Sequence, residues 1–222
     1  MPPKTRLEQE RREGKQVRKN SLIDAAERVF MRKGLEKTTM QEIADEENIG
    51  IATVFRYFPK KDKLIVAVAV KIIESQISTF QSVADLPCTC MEKLDKLFDH
   101  FISFIEPQHL DNTRFIEAFE SYAAQSSVPL TDIELYNAAI RKFSEVLTEI
   151  ITIGRIDGSI RSDITIQDTL SSLIHAFGIF SKKLSMQKSI VMLEAKLPPE
   201  TQLAILKTIF LDYLKPPIQE TP

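Results

Sequence analysis

Beyond Pro59 the apolar residues recur at intervals of three and four, and no run alternates with period two. The pattern predicts an all-α fold. Ahead of that point, Leu22, Ala26, Val29 and Phe30 mark an amphipathic helix that ends near Lys33, with Gly34 as a natural stop. Thr39 and Glu42 have the spacing of a capping box, so a short helix begins at about Met40. A helix from Lys61 to about Phe80 follows, and after the linker around Pro87 another carries Leu94, Leu97, Phe98, Phe101, Ile102 and Ile105 before Pro107. Phe115, Phe119 and Tyr122 line a shorter one. Thr131 and Glu134 repeat the capping spacing ahead of a long helix with Tyr136, Ile140, Phe143, Leu147 and Ile150 inward and its end at Gly154. After an Asp157-Gly158 turn, Thr165 with Asp168 caps the penultimate helix. Its stripe is Ile166, Leu170, Leu173, Phe177, Phe180 and Leu184, and the last helix, opened by Pro198-Pro199, carries Leu203, Leu206, Ile209, Phe210, Tyr213 and Leu214.

Residues 39–58 read as a helix-turn-helix. Ala44 suits the crossing of two helices, Asn48 the tight turn where φ > 0 is wanted, and Ile49, Val54 and Phe58 close a small core beneath it. The remaining face of the second helix, opened by Gly50, then shows Ile51, Ala52, Thr53, Phe55, Arg56 and Tyr57, and no carboxylate interrupts residues 48–61. A solvated helix does not normally display such side chains. They suit the major groove, where apolar atoms meet thymine methyls and polar groups reach phosphates or base edges. Lys60, Lys61 and Lys63 at the next helix start add phosphate-binding charge. The candidate DNA contacts are Thr39, Gly50, Ile51, Ala52, Thr53, Arg56, Tyr57 and Lys61, and the partner they imply is double-stranded DNA.

Charge sharpens this picture. The net charge of −2 divides into 15 Lys/Arg against 11 Asp/Glu over residues 1–63 and 14 against 20 over the rest, a basic head on an acidic body that would orient the molecule towards phosphates. Three parts are expected: a charged flexible arm or helical extension at 1–20, the DNA-binding domain at 21–63, and a helical ligand-binding and dimerisation domain at 64–222. The arm holds Lys4, Arg6, Arg11, Arg12, Lys15, Arg18 and Lys19 and reads equally as a groove-reaching arm or a solvated tail. Cys88 and Cys90 lack companions at ligand spacing and read as structural thiols, so neither metal nor cofactor is expected. The opening Met1-Pro-Pro-Lys has no apolar signal region and the longest apolar run is Leu64–Val70, which points to a cytoplasmic protein without a membrane partner.

Ile43-Ala44, followed by the ungapped run from Asn48 to Leu64, resembles the signature of the tetracycline-repressor (TetR) family. The likeness extends upstream through Ile23–Phe30, Gly34 and Thr38-Thr39, about fifty residues, and a weaker likeness lies in the glycine-and-aspartate connection at 154–164. Asn48 stands at the usual turn glycine, Gly50 at a common serine and Phe55 at a frequent tyrosine, the last two removing hydroxyls from the contact surface. The resemblance implies a non-enzymatic repressor, a dimer through the last two helices, a palindromic operator, and release by a small effector through a tilt of the 61–80 connector. The body's phenylalanines suggest a hydrophobic or amphipathic effector. Phe101, Phe119, Phe143 and His175 are its candidate contacts, although core packing is the commoner role for such phenylalanines and for a histidine amid apolar residues. Small residues Ser171, Ala176 and Gly178 would allow close helix approach. Two other functions compete, a helical interaction protein whose head has lost DNA and a small α-helical enzyme using a buried histidine. The second lacks any phosphate loop, nucleophile elbow or zinc-ligand spacing.

Overall fold

The computed structural model describes residues 3–186 and 197–217, less the side chains of residues 3–7, 170, 182, 185 and 186. The roles expected of Lys4, Arg6 and Leu170 lie outside that description. Every regular element among the described residues is an α-helix: α1 (Pro3–Lys33), α2 (Met40–Glu46), α3 (Ile51–Tyr57), α4 (Lys61–Ala84), α5 (Cys90–Ser103), α6 (Leu110–Gln125), α7 (Ile133–Ile156), α8 (Ile166–Met186) and α9 (Pro199–Leu214). The charged N-terminal segment is a helical extension of α1, with residues 8–18 exposed.

The chain divides into two compact units. One holds residues 1–73 and Phe115–Asn137, the other Glu74–Arg114 and the chain from Ala138 onward. The first unit's core takes Leu22, Ala26, Val29 and Phe30 from α1, Ile43 and Ala44 from α2, Val54 from α3, and Leu64, Ile65, Val66, Val68, Ala69 and Ile72 from α4. Phe115 and Phe119 of α6 complete it, the Phe30 and Phe115 rings lying 6.0 Å apart. The division therefore does not follow Lys63, because the next turns of α4 bury their apolar face in the same core as the helix-turn-helix. By length and composition α4 is long and apolar enough to cross a bilayer, but these buried residues give it the character of a core helix.

The second unit is built on phenylalanine. Phe80 is fully buried among Phe143, Phe101 and His100, at ring-centroid separations of 4.5, 5.0 and 5.3 Å. Phe98, Phe177 and Phe210 join α5, α8 and α9 at 5.2 to 6.2 Å.

Local signals were partly misplaced. A capping box opens α5, where Thr89 accepts from the Glu92 amide and Glu92 accepts from the Thr89 amide. The box expected at Thr131 is not formed: Asp132 has φ 69° and α7 begins one residue later, whereas an N-cap needs extended backbone adjoining the helix. Ile140, expected inward, is 39% exposed. α7 passes Gly154 and ends at Ile156. The glycine serves a close approach instead, since a Cβ there would lie 2.5 Å from both Cys90 Sγ and Ile160 Cγ1. Cys90 is buried and donates to the Ile150 carbonyl at 3.2 Å, and burial pushes its thiol up to about 11.

Candidate nucleic-acid interface

The reader is assembled by short-range bonds. Gly34, at φ 83°, ends α1 by donating to the Phe30 carbonyl at 2.7 Å. Thr39 and Glu42 form the reciprocal cap of α2. Asn48, at φ 55°, turns the chain, with its amide on the Asp45 carbonyl and that of Ile49 on the Ala44 carbonyl. Val54 and Phe58 are buried and Ile49 packs against them, which leaves Ala52, Phe55 and Arg56 exposed and Ile51, Thr53 and Tyr57 half-buried. The Arg56 guanidinium stacks on Tyr57 at 5.5 Å, a contact that stiffens a long side chain while leaving its donors available.

Three of the four carboxylates of α2 and its C-cap are held on the α1 side, while the fourth, Asp45, is exposed and accepts from Gln41 of its own helix at 2.7 Å. Glu46 accepts from Arg28 at 2.8 Å and Arg32 at 3.0 Å, Glu42 pairs with Lys33, and Glu47 with Arg18 and Ser21. Lys33 and the capping amide hold the Glu42 carboxyl down at about 2. Gly50 provides no side-chain cap, and a Cβ there would enter open space.

Lys61 departs from its expected role. Its Nζ donates to the carbonyls of Glu36 and Thr38, at 3.1 and 2.9 Å, and burial lowers its pKa. It clamps the connection between α1 and α2, while the neighbouring Lys60 is exposed. Pattern reading missed two further ties because they join positions sixty to seventy residues apart: Tyr122 donates to Asp62 at 3.0 Å, and Lys63 pairs with Asp132 at 3.1 Å.

The four candidate effector contacts do not form one site. Phe101 and Phe143 meet in the second unit, 5.9 Å apart. Phe119 lies in the first unit's core, 4.6 Å from Tyr136. His175, expected among apolar residues, is exposed, because its side of α8 turns away from Leu173 and Phe177. The second unit holds a cavity of about 20 Å³ lined only by aliphatic and phenylalanine side chains, among them Leu94, Phe98, Phe101, Leu147 and Phe177. That is room for about one water, against the several hundred Å³ of an ordinary ligand pocket. The first unit carries an open surface cleft of about 310 Å³ between residues 33–37 and α6.

A two-helix reader buttressed by α1 and the start of α4, carried by a chain with a separate helical body, is the architecture of a DNA-binding regulator. Residues 22–68 match the model for bacterial regulatory proteins of the tetR family. The chain is 26% identical over 151 residues to the transcriptional repressor KstR2 of Mycolicibacterium smegmatis, covering 67% of this chain and 70% of that protein. It is 35% identical over 68 residues to the nicotine-responsive repressor HdnoR of Paenarthrobacter nicotinovorans, 31% of this chain and 35% of the relative. The fold matches the regulator FadR of Bacillus subtilis, solved with stearoyl-CoA, at a TM-score of 0.67 and 15% identity over 87% of this chain and 98% of that one. Residues 22–68 therefore carry the DNA-binding domain of the tetR family of bacterial regulatory proteins, and over its longer matches the chain is similar to transcriptional repressors.

Proposed function

We propose that the chain is a dimeric cytoplasmic repressor that binds a palindromic operator and is released by a hydrophobic or amphipathic effector. The carboxylate-free α3 face, with Phe55 and Arg56 exposed while Glu42 and Glu46 of α2 are tied to α1, is the observation that carries the DNA half. Thr53 and Arg56 would read base edges, Ile51, Ala52 and Phe55 would meet thymine methyls, and Thr39, Tyr57 and Lys60 would reach phosphates. Lys61 supports this surface from behind.

Dimerisation is supported by apolar residues that the chain leaves uncovered: Ile179 on α8 at 65% exposure, and Ile205 and Ile209 on α9 at 49% and 56%. Ser171, Ala176 and Gly178 are exposed on α8 as well, small enough for close approach of a second helix. His175 shares that exposed side and would lie nearer a partner than an effector. The stripes expected to dimerise serve this chain's own core at Leu173, Phe177, Leu184, Leu203 and Leu214. Two-fold pairing would set two α3 helices about 34 Å apart, one turn of DNA.

The all-carbon cavity lining favours an apolar effector. At about 20 Å³ the cavity must enlarge to admit one. α4, whose first part lies in one unit and second in the other, is the lever that would carry that rearrangement to the reader. An effector that favours the non-binding form weakens DNA affinity by the same coupling free energy, about 1–3 kcal/mol in typical cases.

Gel-shift titration against the region upstream of the chain's own gene tests the proposal. Binding should fall steeply with salt and require both half-sites, Thr53→Ala and Arg56→Ala should change base preference, and sedimentation should give a dimer. Equal affinity for random DNA, or none at low salt, would sink the repressor reading.

A further inference from the structure

Serine and threonine hydroxyls inside helices of this protein usually donate to their own helix. Ser82, Thr148, Thr152 and Thr208 each donate to the carbonyl four residues earlier, at 2.7 to 3.0 Å. Ser181 on α8 does not. It is 7% exposed, and its Oγ has no hydrogen-bond partner among the described residues. Phe177 and Leu184 stand one turn to either side of Ser181 on the same helix face, and both lie in the apolar cluster with Phe98 and Leu203. Phe177 also lines the cavity of the second unit. Among the described residues this is a buried hydroxyl without compensation, one helical turn from the cavity-lining Phe177.

We propose that the Ser181 hydroxyl is the polar anchor of the effector site, and that the effector is an apolar molecule carrying a hydrogen-bond acceptor, such as a ketone or ester oxygen. This rests on the effector reading above and narrows it. Growth of the cavity along α8 past Phe177 brings a ligand to Ser181. An acceptor is favoured over a cationic donor because a carbonyl is far less costly than an ammonium to bring into a lining of leucine, isoleucine and phenylalanine. The hydroxyl, unpaired among the described residues, then gains a partner from the ligand, so one hydrogen bond discriminates the ketone from the matched hydrocarbon.

The test uses 2-acetylnaphthalene and 2-ethylnaphthalene, which match in shape and differ by the carbonyl oxygen, titrated into the full chain and into Ser181→Ala. Isothermal titration calorimetry reads the binding of both probes directly. Ser181→Ala should fold with an unchanged or higher Tm, since it removes an unpaired buried hydroxyl. The ratio of ketone to hydrocarbon affinity should fall by about fivefold to tenfold in that variant, the worth of one neutral hydrogen bond. The same ratio in both proteins would overturn the assignment of Ser181 while leaving the apolar site standing. Failure of the wild-type chain to bind either probe would overturn the apolar effector site itself, and this inference with it.

Discussion

The two units hold themselves together by different means. In the first, directional polar ties cross between elements: Glu46 to Arg28 and Arg32, Lys61 to two carbonyls, Tyr122 to Asp62, Tyr136 to Glu120, and Lys71 to Asp24 and Glu27. In the second, the core is ring on ring, with Phe80, Phe98, Phe101, Phe143, Phe177 and Phe210 meeting edge-on or tilted, and polar ties such as Lys207 to Asp95 and Asp99 join α9 to α5 outside it. A hydrogen bond loses most of its strength over small changes of angle, whereas aromatic and aliphatic packing has many arrangements of similar energy. The contrast fits what the proposed function would ask of each unit. A groove reader has to keep its side chains in one register, and a body that admits a ligand has to rearrange.

The contrast can be broken first at Phe80. Phe80→Ala removes a fully buried ring from its contacts with His100, Phe101 and Phe143 and should destabilise the second unit by about 3–5 kcal/mol, seen as a lower urea midpoint. Arg28→Ala, which removes one exposed partner of Glu46 in the first unit, should cost no more than about 1 kcal/mol. Comparable losses in the two variants would refute a ring-packed body beside a tethered head.

The next effect is at Gly154, where a Cβ would stand 2.5 Å from Cys90 Sγ and Ile160 Cγ1. Gly154→Ala should destabilise by about 1–3 kcal/mol despite alanine's better helix propensity. Cys90→Ala in the same chain should recover part of the loss, leaving the contact with Ile160. Additive effects in a double-mutant cycle would show that the two residues do not compete for space.

Lys61 decides between two roles in the first unit. If it clamps the α1–α2 connection, Lys61→Met should lower stability by about 1 kcal/mol and leave the slope of log affinity against log salt unchanged. If its ammonium neutralises a phosphate, the slope should instead fall by about one. The geometry predicts the first outcome, with Lys60→Met producing the second.

Legibility in the sequence follows the range of the interactions. The cap at Thr39, the left-handed turn at Asn48, the stop at Gly34 and the buried Val54 and Phe58 are governed by neighbours within a few residues, and each stands where the spacing predicts. Lys61 misled because the carbonyls that hold it are 23 and 25 residues away. Gly154 looked like a helix stop because a steric need created by Cys90, 64 positions earlier, leaves no local trace. For the same reason the phenylalanines could be counted but not sorted between the two cores. Phe101 and Phe119 have similar surroundings in sequence and belong to different units.

The smallest effect belongs to His100, where a polar tie of the second unit lies among its rings. Its Nε2 donates to Gln76 Oε1 at 3.0 Å, and its ring sits edge-on to Phe80 and Phe104. Burial, and after it the nearby charge of His109, hold its pKa below 6.5. Because the folded value is the lower one, the unfolded chain binds more protons between the two. The contribution is therefore fully present above pH 6.5 and is lost as pH falls through that value towards the folded one. Denaturation at pH 7.5 and 5.5 should show the wild type losing stability on acidification and His100→Gln losing less. That window lies above the titration of the ion-paired carboxylates such as Glu42 and Glu46, whose values are lowered. Equal losses in the two proteins would place the acid sensitivity elsewhere, and equal losses accompanied by weaker DNA binding would place it in the tethered head.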